Sequence, residues 1–274
     1  MGLLDRIYDT ALLLYALSLL FVFSDCLKRN PGGKRLGTGL LAVVGLLQIA
    51  GLTIRFGQEG GLPIFTPYDF LFWFSFIIVL TSLAVSFTRG GEFTLLLLSV
   101  AGFSVFLLNR VWLTAEDHTL QSWSAVHGWL ALHVILANLS FGALTLATVF
   151  AIMYLFLHRR LKIKKWDDRI RRLPSLETMD KYSGTAVYAG VPLLILSLVL
   201  AGVSILSEGR TPLFQDTKVL TTLIALGIYI TYMVLRRLGR YGGNAMARWV
   251  IAGYAFLILN FLLNSFSDFH GWGG

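Results

Sequence analysis

Apolar residues fall in eight long runs, at about 6–27, 36–56, 69–87, 92–109, 129–157, 184–206, 217–235 and 248–269. Each approaches or exceeds the roughly 20 residues that a helix needs to cross the hydrocarbon core. Within the runs Leu, Ile, Val, Ala and Phe follow one another without alternation. That favours helices, whose backbone polar groups are satisfied internally, over barrel strands. The third and fourth runs are short, and only Thr88-Arg89-Gly90-Gly91 separates them, which predicts a tight hairpin. The pattern predicts an all-α polytopic membrane bundle with eight transmembrane helices, forming a single integral-membrane domain over 1–274.

Composition agrees. The chain is 56% hydrophobic and 14% charged, with a mean hydropathy of +0.71. Soluble domains carry about a quarter charged residues, so most of this chain faces lipid. The lone cysteine, Cys26, excludes a disulfide framework, a CxxC pair and a thiolate metal cluster. Of the 23 Lys and Arg residues, eighteen fall on one side of the predicted bundle. They are Lys28, Arg29, Lys34, Arg35, Arg89, nine between Arg159 and Lys181, and Arg236, Arg237, Arg240 and Arg248. Arg6, Arg55, Arg110, Arg210 and Lys218 fall on the other side. The positive-inside rule makes the first side cytoplasmic and puts both termini outside.

The net charge of +8 is thus mostly a topology signal. The basic segment 158–183 is expected to be a cytoplasmic loop that meets anionic headgroups or docks a cytosolic partner. Its Trp166, Ile170 and Leu173 suggest an amphipathic piece lying along the membrane surface. Nothing in it resembles a nucleic-acid module, and no direct nucleic-acid binding is expected. No segment outside the spans is long enough to form a domain, which leaves the bundle and its outer mouth as the place for chemistry.

Ionisable residues at membrane depth are costly and mark function. His118, His127 and His158 read as surface or interfacial. His133 and His270 stand apart. Counting back from His158, a span of roughly 20 residues ends at Asn138, and His133 lies about 7 Å further out. The last span, counted from Arg248, reaches the outer boundary near Asp268 and places His270 about 3 Å beyond it. Two imidazoles from different helices therefore share one thin outer layer. Zinc would require four ligands, whereas haem iron requires only two from the protein. Aromatics that include Phe65, Tyr68, Phe72, Trp73, Trp112, Phe214 and Trp272, and the cations Arg55, Arg110, Arg210 and Lys218, surround the same level. The spacing alone is equally open to a pair of ordinary interfacial histidines.

Four segments carry a resemblance. LPSLETMDKYSGTAVYAGVPLLILSLVLAGV (173–203), TPYDFLFW (66–73), HVILANLSFGAL (133–144) and the terminal NFLLNSFSDFHGWGG (260–274) resemble, in consistent order, the CcsA/ResC cytochrome c assembly family. The similarity covers about residues 40–274. It implies that His133 and His270 ligate haem presented at the outer face. Two features depart from the family. Its tryptophan-rich loop, ending WxWDxKE, is here PLFQDTKV (212–219), in which only Asp216 and Lys218 match. Its intramembrane histidine, in a YLHxR context, is replaced by Val234.

Eight spans with a truncated loop are similar to the HemX branch of that superfamily. That branch is associated with holding down the amount of glutamyl-tRNA reductase, the first committed enzyme of tetrapyrrole synthesis. The resemblance implies non-covalent haem b on His133 and His270. Asp216 would orient the loop or a histidine, Lys218 and Arg210 would meet propionates, and Trp272 would flank the ring. Asp216 reads equally as the N-cap of the seventh helix and Lys218 as a snorkelling side chain. The expected partners are haem, the lipid bilayer, and glutamyl-tRNA reductase or a factor that controls it. The expected location is the bacterial cytoplasmic membrane. The alternatives are CcsA-like haem delivery to apocytochromes and a scaffold that binds no haem. No activated nucleophile, paired carboxylates or phosphate loop points to an enzyme.

Overall fold

In the computed structural model, described for residues 2–59, 61–64, 66–88, 90–112, 127–164, 170–207, 209 and 215–262, all regular structure is helical. Eight helices are long and apolar enough to span a membrane. They are α1 (Leu3–Leu27), α2 (Pro31–Glu59), α3 (Pro67–Ser86), α4 (Glu92–Trp112), α5 (His127–Lys162), α6 (Leu176–Ser207), α7 (Thr217–Leu238) and α8 (Gly243–Leu262). Exposed Leu13, Leu20, Leu46, Leu196 and Val199 give the outer helix surfaces an apolar coat. On a water-soluble protein such a surface would drive aggregation; here it suits lipid.

Local chemistry fixes the helix ends. Pro31 and Pro67 occupy first-turn positions, where a missing N–H costs nothing. Asn30 accepts from Gly33 N–H at 3.1 Å, and Thr66 and Asp69 form a reciprocal capping box at the head of α3. α7 ends on Gly239 in the left-handed conformation, φ 63°.

The boundaries differ from the apolar runs where helix continues into polar sequence. α5 keeps its helical path through Arg159-Arg160-Leu161-Lys162, residue types that favour helix even in water. α6 begins at Leu176 rather than near 184, behind a Ser175 cap on Thr178 N–H at 3.2 Å. The connection expected over 158–183 therefore shrinks to residues between Lys162 and Leu176. Its Ile170 is buried in a short 3-10 turn, Ile170–Arg172, and Arg172 donates to the Asp25 carbonyl at 3.3 Å. This turn packs on protein through Ile170 and Arg172; Trp166 falls outside the described residues.

The helices form two compact units. In the N-terminal unit α1–α4 pack around Tyr8, Tyr15, Leu41, Val44, Phe72, Val79, Leu95 and Phe106, with residues 170–174 against them. Its rim near the start of α3 carries a buried ion pair, Arg55 Nη2 to Asp69 Oδ1 at 3.0 Å. The Arg55 guanidinium also lies over the Tyr68 ring, 4.8 Å from its centre. In the C-terminal unit α5–α8 pack around Leu144, Val187, Val191, Tyr229, Tyr232, Val250 and Leu257.

The α5–α6 pair is built on a seam with a seven-residue step. His133, Ser140 and Ala147 on α5 face Ser197, Gly190 and Ser183 on α6, antiparallel. Ser197 Oγ donates to the His133 carbonyl at 3.1 Å, Ser140 Oγ to that of Gly190 at 2.9 Å, and Ser183 Oγ to that of Ala147 at 3.0 Å. A Cβ on Gly190 would lie 2.9 Å from Leu144 Cγ, so the backbones can approach this closely only over glycine. Small residues and side-chain-to-backbone hydrogen bonds are how helices associate without a hydrophobic drive between them.

Candidate functional site

His133 is the first member of that seam, and its position follows from the register. Its Nδ1 lies 2.7 Å from the Ser197 carbonyl oxygen and 2.8 Å from Ser197 Oγ. A carbonyl only accepts, so Nδ1 carries the proton and donates. The Ser197 hydroxyl proton goes the other way, to the His133 carbonyl. One serine therefore fixes both the ring tautomer and the backbone beneath it. Nε2 is left with its lone pair, the state an imidazole needs to bind a metal.

α7 and α8 complete this end of the unit. Asp216 caps α7 by accepting from Lys218 N–H at 2.8 Å, the role that its position before the seventh span also allowed. Thr222 Oγ1 donates to the Lys218 carbonyl at 2.7 Å, and Asn260 Nδ2 of α8 reaches Thr222 Oγ1 at 2.6 Å. The first turn of α7 is thereby held by its own cap and by α8. The Lys218 ammonium is near enough to His133 for the two to interact electrostatically. Ala201, Ile205 and Val219 form the apolar wall between α6 and α7. Three predicted site residues, Arg210, His270 and Trp272, lie outside the described residues, as do Phe65 and Phe214.

Four other expected contributors are engaged within the N-terminal unit. Arg55 pairs with Asp69, and Arg110 donates to Asp9 at 2.7 Å and to Asp5 at 3.4 Å. Tyr68 and Phe72 belong to an aromatic box with Tyr8 and Phe106, whose rings stack 4.1 Å apart. These groups build the N-terminal unit's own rim.

The far end of the C-terminal unit is closed by a different device. Arg236 forks onto Asp180, Nη1 to Oδ1 at 2.9 Å and Nη2 to Oδ2 at 2.7 Å, and also donates to the Tyr232 hydroxyl at 3.1 Å. Such bidentate pairs fix orientation as well as adding energy. Gly184 makes room, because a Cβ there would meet the guanidinium carbon at 2.8 Å. Val234 is exposed on the surface of the unit. α6 thus carries Ser197 at one end and Asp180 at the other.

The partner of His133 was not legible as a functional residue. Ser197 sits in a long apolar run and reads there as a neutral insertion. The available signal was the recurrence of Ser183, Gly190 and Ser197 at steps of seven, matched by His133, Ser140 and Ala147 on the preceding helix.

Among the described residues no three His, Cys, Asp or Glu side chains come together. What this end offers is one oriented imidazole, a cation and an apolar wall. That donor set fits an axial position on a macrocycle that supplies four ligands of its own, and does not fit a protein-enclosed ion.

Comparison with known proteins places this bundle. The model of the cytochrome c assembly protein family matches residues 66–270, and the chain belongs to that family of haem-related membrane proteins. It is 34% identical to Protein HemX of Brevibacillus brevis over 271 residues, 97% of each chain. It is 30% identical to Protein HemX of Bacillus subtilis (strain 168) over 266 residues, 97% of this chain and 96% of that one.

Proposed function

We propose that this multi-pass membrane protein binds haem b non-covalently at the outward-facing end of its C-terminal unit, with His133 and His270 as axial ligands. It acts there as a haem-responsive regulator of tetrapyrrole synthesis, through the abundance of glutamyl-tRNA reductase. The observation that carries the site is the Ser197 carbonyl on His133 Nδ1, which leaves Nε2 as a ligand. Lys218 and Arg210 meet the propionates, Asp216 holds the loop through its cap on α7, and Trp272 flanks the ring. Bound haem supplies an iron with two open axial positions; the chain's contribution is to orient the imidazoles and exclude water. The excess of Lys and Arg on one side orients the bundle, with both termini outside the bacterial cytoplasmic membrane. The near full-length similarity to proteins named HemX supports the regulatory output.

The family match favours one rival, haem delivery to apocytochromes at the outer face. Deletion in the native host separates the two. Regulation predicts more glutamyl-tRNA reductase and more tetrapyrrole precursors, with c-type cytochromes intact; delivery predicts loss of c-type cytochromes at unchanged reductase.

The Ser197 contact makes a separate prediction. Ser197→Val removes the hydroxyl at nearly constant shape compared with Ser197→Thr. The valine variant keeps the Ser197 carbonyl on Nδ1 and loses only the hydroxyl that braces the His133 carbonyl, so it is expected to weaken haem binding by less than the roughly tenfold that loss of an outer-shell partner costs. It should also shift the low-spin electron paramagnetic resonance signal, which reports the relative orientation of the two imidazole planes. The threonine variant should match the parent in both measurements.

A further inference from the structure

The N-terminal unit buries polar side chains through its whole depth, and the haem reading uses none of them. Its buried rows step by seven residues, Ala11, Ser18 and Asp25 on α1 and Leu41, Gln48 and Arg55 on α2. Near mid-span these rows meet α3 and α4 in one cluster. Gln48 Nε2 donates to Ser75 Oγ at 3.2 Å, and Ser75 Oγ donates to the Gly102 carbonyl at 3.3 Å. The Tyr15 hydroxyl lies against the same glycine: a Cβ on Gly102 would collide with it and with Ile78 Cγ2. Glycine is therefore required on α4 for a tyrosine hydroxyl to be brought to this point.

Two polar atoms of the cluster find no described hydrogen-bond partner, the Tyr15 hydroxyl and Gln48 Oε1. Both residues are sealed, at 0% and 1% exposure. Ser75 uses its proton on Gly102, so it must accept from the Gln48 amide nitrogen, and the amide oxygen faces the core. Ser82 and Ser99, also buried with unpaired hydroxyls, can turn back onto their own helices. Tyr15 and Gln48 have no such option. In a membrane interior each unmade hydrogen bond carries the full desolvation cost of the group. The two groups are complementary, since one offers a proton and the other a lone pair.

We propose that Tyr15, Gln48, Ser75 and Gly102 form a binding site for an internal water molecule at mid-membrane depth. The water accepts from the Tyr15 hydroxyl and donates to Gln48 Oε1, and so adds a second polar link between α1 and α2 to the one that Ser18 Oγ makes with the Gly37 carbonyl at 2.7 Å. Buried waters with two to four such partners are integral parts of folded proteins. The Tyr15 hydroxyl differs in this from that of Tyr229 in the C-terminal unit, which is also 0% exposed but donates directly to the Val250 carbonyl.

X-ray hydroxyl-radical footprinting with mass spectrometry tests this on the full-length protein in detergent. Radicals form from bound water in place, so a side chain beside such a water is oxidised even when bulk solvent cannot reach it. Tyr15 should be oxidised several-fold faster than Tyr229, the dry reference of equal exposure. In Gln48→Leu, which leaves Tyr15 and Tyr229 untouched, the Tyr15 rate should fall to that of Tyr229. Equal rates in the parent would overturn the site. A Tyr15 excess that survives Gln48→Leu would overturn the assignment to Gln48. An unchanged rate at Tyr8, which is buried in the same unit and donates to the Phe106 carbonyl at 2.9 Å, reports that this unit's fold is intact in the variant.

Discussion

His133→Ala is expected to abolish the low-spin haem spectrum of the purified protein and to weaken haem binding by more than about 100-fold. The magnitude follows because losing an outer-shell partner of a metal ligand already costs 10–100-fold, and this substitution removes the ligand itself. Lost folding would give the same loss of haem, and His133→Gly separates the two explanations. The glycine variant would leave a gap of imidazole shape against α6. Free imidazole added to it should restore the low-spin spectrum; a misfolded bundle would not respond. His270→Ala should likewise turn the spectrum high-spin. If either variant keeps the parent's spectrum and affinity, that histidine is not an axial ligand.

The second large effect concerns stability. Asp69→Ala is expected to destabilise the N-terminal unit by about 3–5 kcal/mol, because it leaves the buried Arg55 guanidinium without its carboxylate. The Arg55 and Asp69 side chains are only 5% and 2% exposed, so water cannot take over. Asp69 also accepts from the Thr66 hydroxyl at 2.7 Å and from Thr66 N–H at 3.2 Å, and losing this half of the α3 capping box adds to the cost. The double substitution Arg55→Leu, Asp69→Leu removes both charges and should recover most of the loss, since apolar replacement of a buried pair is often neutral or better. Thermal unfolding in detergent, read separately at Trp73 and Trp249 as single-tryptophan probes, measures this. If Asp69→Ala is no less stable than the double variant, the pair does not hold the rim.

Much of this architecture was legible in the sequence, because a bilayer imposes a length and an apolar composition that hydropathy reads directly. Eight helices long and apolar enough to span a membrane are present, as the apolar runs predicted. What hydropathy does not read is where a helix stops once it has left the membrane. Leu161-Lys162 and Leu176-Glu177 are helical because of propensity and capping, and they lengthen α5 and α6 beyond the spans. The candidate site was legible in part for a related reason. An imidazole near the outer boundary stands out against leucine, so His133 could be singled out. Its partner could not, because serine in an apolar run carries no signal until the register of two helices is known. Arg55 and Arg110 were visible as cations, yet their roles were fixed by Asp69, Asp5 and Asp9, whose proximity is a tertiary fact.

The Asp216 contact shows how one residue supports two readings that turn out to be compatible. The same carboxylate that closes the first turn of α7 positions Lys218 on that turn. Together with the Asn260–Thr222 link from α8, this makes the Lys218 turn a rigid part of the unit and not a loop.

The central claim is that the C-terminal unit holds haem between two histidines. Absorbance spectra of the full-length protein, purified in detergent from a haem-replete host and recorded oxidised and then reduced, test it most directly. The account predicts a Soret band with the sharp α and β bands of six-coordinate low-spin iron on reduction. A protein that shows no Soret band, even after haem is added, would contradict it and leave a membrane scaffold that binds no haem.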